Sequence, residues 1–123
     1  MRHYDLSAAE VSLRASIAAM TLPASASKGA KCLQRNREVS VQLMLLALAE
    51  SNRGTDLHTI VEAVAGAAAE FMYSFLLPFS ADDQEHLVDH FQMAFDKILE
   101  HAFTKGPIGA VGIELPSEQG GHA

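Results

Sequence analysis

One cysteine, Cys32, stands in 123 residues, so no disulfide can close within the chain. That composition fits a reducing compartment, and Cys32, with Lys31 and Arg35 near it, is read as an ordinary free thiol. β-Branched residues are sparse, and the long periodic segments lack the Gly/Pro punctuation of a sheet. No stretch reaches the ~18 uninterrupted apolar residues of a membrane span. The nearest, Val61 to Phe79, is broken by Glu62, Glu70 and Pro78. A G-x-S-x-G turn, a phosphate loop and a Cys/His metal signature are all missing, so neither an enzyme nor a cofactor is expected. The segment "ASIAAMTLPASAS" has the outline of a secretory leader. However, Asp5, Glu10 and Arg14 precede it, and Ser and Thr dilute its short apolar part. The chain is therefore read as cytoplasmic, with no membrane partner.

What is present is helix former. Nearly half of the residues are hydrophobic, Ala being the commonest type. Ser7-Ala-Ala-Glu10 has the form of a capping box and predicts a first helix from about Ala8 to Thr21, closed by Pro23. Residues 22–30 form a small-residue connector. A second helix begins between Ser27 and Arg37 and ends near Asn52, with Gly54 placed to terminate it. Thr55 or Asp56 caps a third helix that runs to about Leu77, before Pro78. Ser80 caps a fourth, with Asp82 and Asp83 suited to its positive end and Lys105 and Gly106 closing it. The expected fold is an all-α, four-helix bundle-like domain over residues 1–106. Residues 107–123 follow as an extended, partly disordered tail in which Ile108, Val111, Ile113 and Leu115 could dock.

The second helix is apolar on two sides. Val41, Met44, Leu45 and Leu48 cover one side; Val39, Leu43 and Leu46 cover nearly the opposite one. The third helix carries Leu57, Val61, Val64, Ala68, Met72 and Phe75 on one face, and the small residues Ala63, Gly66, Ala67 and Ala69 on another. The fourth presents a stripe of Leu87, Phe91, Ala94, Phe95, Ile98 and Ala102. So small a bundle cannot easily cover both sides of the second helix. A C2 homodimer burying the excess is expected, against the alternative of one compact bundle centred on that helix. Val39, Leu43, Leu46, Ala63, Gly66, Ala67 and Phe71 are the candidate dimer or partner-binding residues. Seven of the eight aromatics fall between Phe71 and Phe103, and most of them are expected in the core.

Charge is unevenly spread. Residues 1–54 balance at +3 and residues 55–123 at −9. The acidic half repels nucleic acid and favours a basic protein surface. Lys28, Lys31, Arg35 and Arg37 offer the one alternative, a nucleic-acid contact in segment 28–37. His86, His90, Lys97 and His101 flank the apolar stripe of the fourth helix on one side; Glu85, Asp89, Asp96 and Glu100 lie away from it.

His58-x-x-x-Glu62 and His86-x-x-x-His90 resemble the ligand pairs of hemerythrin-like di-iron bundles, because i and i+4 side chains converge on one ion. That family's site needs further ligands from other helices. The first helix offers none, and His101 lies about 16 Å past His90 on the same helix. The expectation is no metal, with His58, Glu62, His86 and His90 as the alternative mononuclear set. The segment "AVAGAAAEFMYSFLLPFS" resembles the tetracycline-repressor-type helix-turn-helix in its Ala65-Gly66 and Tyr73. The helix that would enter the groove holds Glu70 and no Lys or Arg, so DNA reading is not expected. In size, all-helical layout and lack of catalytic residues, the chain resembles the small quorum-sensing antiactivators. That resemblance implies a protein-interaction module that binds a LuxR-type transcription regulator and keeps it from DNA.

Overall fold

Asp5 opens the first helix of the computed structural model, which describes residues 3–105. Its side chain accepts from the Ala8 N–H at 3.1 Å, and α1 runs Leu6–Ala19. The expected cap, Ser7, lies inside that helix. An aspartate two residues upstream supplies an equally good cap and adds a negative charge at the positive end of the helix dipole. Glu10 is not drawn into a capping box. It pairs instead with Arg14 one turn on, at 3.0 Å. The Met20 N–H closes the helix on the Ile17 carbonyl.

The expected second helix is two helices, α2 (Lys28–Arg35) and α3 (Glu38–Asn52), so among the described residues five helices stand where the sequence predicted four. Ser27 caps α2 by accepting from the Ala30 N–H. Asn36 makes the break: its side-chain amide donates to the Cys32 carbonyl at 2.8 Å and its N–H to Leu33 at 2.9 Å. A short amide side chain competing for the carbonyls of the preceding turn is the ordinary way such a residue stops a helix. The chain then turns Arg37 inward, to 8% exposure, with Nη1 at 3.5 Å from the Ser40 hydroxyl. Burial lowers the pKa of this guanidinium from its ordinary value.

Along α3 the two apolar sides separate as expected. Val41 and Leu48 are buried, while Val39, Leu43 and Leu46 stand exposed. The helix ends in a Schellman motif. Gly54, at φ 88°, donates to Ser51, and Thr55 donates to Glu50. Glycine fits there because only a residue without Cβ takes that left-handed conformation cheaply.

The core lies between α1 and α3. Tyr4, Ala9 of α1 and Leu48 of α3 form one buried cluster with Leu45 packed against it, and Leu13 of α1 and Val41 of α3 are buried as well. Two polar links hold the helices in register. The Tyr4 N–H donates to Asn52 Oδ1 at 2.7 Å, and Asn52 Nδ2 returns a bond to the Tyr4 carbonyl at 2.8 Å. Arg14 forms a two-pronged pair with Glu38, at 2.9 and 3.0 Å. Hydrogen bonds from Arg14 and then Gln42 hold the Glu38 carboxyl down at about 2. Both partners of this pair are solvent-exposed, so it adds little stability. The Asn52 link is part-buried and satisfies a backbone donor and acceptor together. Asn52→Ala is expected to lower unfolding free energy by about 1–2 kcal/mol, read as a lower urea midpoint with an unchanged slope.

Asp56 caps α4 (Leu57–Leu76) by accepting from the Thr59 N–H, as expected, and α3 packs along the start of α4. The helix stops just before Leu77-Pro78, and Ser80 caps α5 (Ala81–Lys105) through the Asp83 N–H. Gln84 pins the corner, donating to the carbonyls of Leu76 and Phe79 at 3.0 and 3.1 Å. Beyond that corner α5 stands apart. Among the described residues, no side chain of α5 is buried. The tail expected over 107–123, and Gly106 before it, lie outside the described residues.

Candidate protein-interaction surface

Between α4 and α5 lies an open groove of about 920 Å3. One wall is a full side of α4, with a floor of small side chains (Ala65, Ala68, Ala69) between the larger Leu57, Val61 and Met72. The other wall is one stripe of α5, where Val88, Phe91 and Phe95 recur at helical spacing; Ala47 of α3 closes the side. Gln84 and Gln92 are polar, and no charged residue lines the groove. Helical periodicity explains the lining: the apolar stripes of two consecutive helices turn toward each other across a four-residue corner. Ile60 and Leu76 are buried at the two ends of α4, and the surface between them is open.

The expectation that most aromatics of the second half are core is overturned. Phe71, Tyr73, Phe75, Phe79, Phe91, Phe95 and Phe103 are all exposed, from 42% at Phe91 to 84% at Phe103. Phe71 stacks on Phe75 and Phe91 on Phe95, one turn apart on their own helices, at 5.6 and 6.1 Å between ring centres. Among the described residues, both ring pairs run along one helix and neither bridges two helices. The predicted α5 stripe of Leu87, Phe91, Phe95 and Ile98 is likewise an exposed face.

All seven candidate interface residues are exposed. Val39, Leu43 and Leu46 form the outer face of α3. Ala63, Gly66, Ala67 and Phe71 lie on α4 outside the groove lining. A Cβ added at Gly66 would meet no atom within 4 Å, so among the described residues nothing packs closely at Gly66. The groove was not among the sequence candidates. Its α4 and α5 stripes read as core faces, because periodicity identifies an apolar face without saying what covers it.

The alternative sites are not assembled. Among the described residues, no three His, Cys, Asp or Glu side chains come together in a way that could hold an ion. His58 and Glu62 on α4 are thus not joined by His86 and His90 of α5. The basic cluster is divided: Lys28, Lys31 and Arg35 are exposed on or beside one face of α2, while Arg37 is buried under α3. The helix-turn-helix likeness fails on geometry, because Ala65 and Gly66 lie inside one uninterrupted helix. Cys32 is exposed. Helix α4 spans 20 residues, with an 18-residue stretch of mean hydropathy 1.3, long and apolar enough to cross a membrane by length and composition. Comparison with protein-family models, curated proteins and solved structures found no match.

Proposed function

We propose that this chain is a regulatory protein-interaction module of the cytoplasm that works without catalysis. Acting as a homodimer, it would sequester a transcription regulator by occupying that regulator's dimer interface, in the manner of the small antiactivators it resembles in build. One observation carries the reading. Large apolar surface stands exposed both on the outer face of α3, at Val39, Leu43 and Leu46, and around the uncharged α4–α5 groove, and surface of that kind is characteristic of protein contacts. The surrounding acidity favours a partner with a basic rim.

A membrane reading has the length and composition of α4 behind it. Glu62 and Glu70 oppose it, since a carboxylate deep in a bilayer costs about 2.5–3.5 kcal/mol. A nucleic-acid reading rests on α2 alone. With Arg37 withdrawn, it has only Lys28, Lys31 and Arg35 to offer phosphate.

The test is a fluorescence anisotropy titration. Labelled operator DNA is bound to the LuxR-type regulator of the same organism, and this chain is added. Release of the DNA at stoichiometric chain, with only modest dependence on salt, is the expected result. No release, or direct binding of the DNA by the chain with steep loss in salt, would reject the proposal.

A further inference from the structure

We infer that the α4–α5 groove is filled by the same two helices of a second copy, giving a C2 dimer whose core is built from both chains. This inference rests on the reading of the second half as a protein-binding surface, and it names the occupant of that surface.

Area is the first argument. At ~200 Å2 per aromatic side chain, the seven exposed aromatics present on the order of 800 Å2. Leu57, Val61, Leu77 and Ile98 add to it, each at least 48% exposed. The largest apolar patch of an ordinary monomer is about 300–600 Å2, and a stable interface takes about 800 Å2 from each partner. Tyr73, Phe91 and Phe95 line the groove itself, and with the other aromatics spread along α4, the corner and α5 the total matches one side of a standard interface.

The second argument is the state of α5. Helices in proteins draw most of their stability from packing an apolar face. This helix has 25 residues, and among those described no side chain is buried. Its apolar residues also run past the groove-lining stripe, through Leu87 and Ile98. Each copy therefore carries a groove with a floor of small residues and, on the same two helices, large apolar side chains left over to fill one. A patch that is both receptor and ligand is what an isologous interface requires.

Charge separates this occupant from the others. The groove lining is uncharged, so the helix that enters it must present a charge-free face, and α4 and α5 do so. The rest of α5 bears Asp82, Asp83, Glu85, Asp89, Asp96 and Glu100, which repel an anionic bilayer. The outer face of α3, with Val39, Leu43 and Leu46, is not part of the groove. On this assignment it stays free for the regulator.

Sedimentation equilibrium of the full chain, from sub-micromolar to tens of micromolar, tests the inference. The wild type should show twice the chain mass. Phe91→Glu, at an exposed residue outside the α1–α3 core, should associate at least ~100-fold more weakly, whereas Leu46→Asp should remain dimeric. A photo-crosslinking benzoylphenylalanine in place of Phe91 should capture a second copy, and one in place of Leu46 should not; this arm holds even if Phe91→Glu fails to fold. A single-chain mass for the wild type at tens of micromolar would overturn the inference. So would a dimeric Phe91→Glu, a monomeric Leu46→Asp, or crosslinking from position 46 alone. The operator-release titration can fail while this dimer stands, and the dimer can fail while release persists, so the two proposals are judged separately.

Discussion

Leu43→Asp combined with Leu46→Asp is expected to weaken capture of the regulator by at least ~100-fold and to leave the chain folded. The two leucines are 40% and 47% exposed on the outer face of α3, while the inner face of that helix holds the core through Val41 and Leu48. Burying a leucine in an interface is worth about 1.5–3 kcal/mol. A buried, unpaired carboxylate adds a further cost. Each 1.4 kcal/mol is tenfold in affinity, so two such sites reach two decades or more. The comparison variant is Lys28→Ala, Lys31→Ala and Arg35→Ala together. Arg37 is left in place, because it is buried against Ser40 and its removal would disturb the start of α3. The basic variant should release operator DNA from the regulator within a few-fold of wild type. Circular dichroism and sedimentation on both variants establish fold and mass before any loss is counted. If the basic variant, still folded, loses activity while the leucine variant keeps it, protein sequestration through α3 is excluded.

Leu13→Ala should lower unfolding free energy by about 3 kcal/mol, within the 2–5 kcal/mol range of such truncations. Leu13 is 0% exposed and, with Val41, is among the largest fully buried side chains. The core is small, so the cavity left by one leucine has few neighbours able to collapse into it. Urea unfolding reads the effect as a lower midpoint at every protein concentration. Groove substitutions should behave differently. They remove only the part of stability that rises with protein concentration, since a folded dimer is stabilised by mass action. A loss below about 1 kcal/mol for Leu13→Ala would mean that α1 is not part of the cooperative core.

Helix content and most helix ends were legible because each depends on a few adjacent residues. Asp56, Ser80 and Gly54 act locally, and each does in the structure what its chemistry predicts. The division of α3 into an inner and an outer apolar face followed from the wheel alone. Two local readings failed where two residues competed for one role. Asp5 displaced Ser7 as a cap, and the Asn36 side chain broke what reads as one helix from Ser27 to Asn52. The aromatics failed for another reason. Phe91 and Phe95 lie at core spacing, and that pattern is the same whether the covering helix comes from this chain or another one. Only the three-dimensional arrangement reveals that, among the described residues, no further helix covers that face of α5. The histidines show the converse limit. The i, i+4 pairs on α4 and α5 exist as read, but spacing within one helix says nothing about whether two helices bring their pairs together.

The claim at the centre of this account is that the aromatic surface of α4 and α5 is covered by protein in solution. Hydroxyl-radical footprinting of Tyr73, Phe91 and Phe95 measures that cover directly, at nanomolar chain, at tens of micromolar chain, and at nanomolar chain with anionic lipid vesicles. All three side chains should oxidise readily in the dilute sample, become protected in the concentrated one, and gain no protection from vesicles. Full reactivity at tens of micromolar, or protection that appears only with vesicles, would contradict that claim.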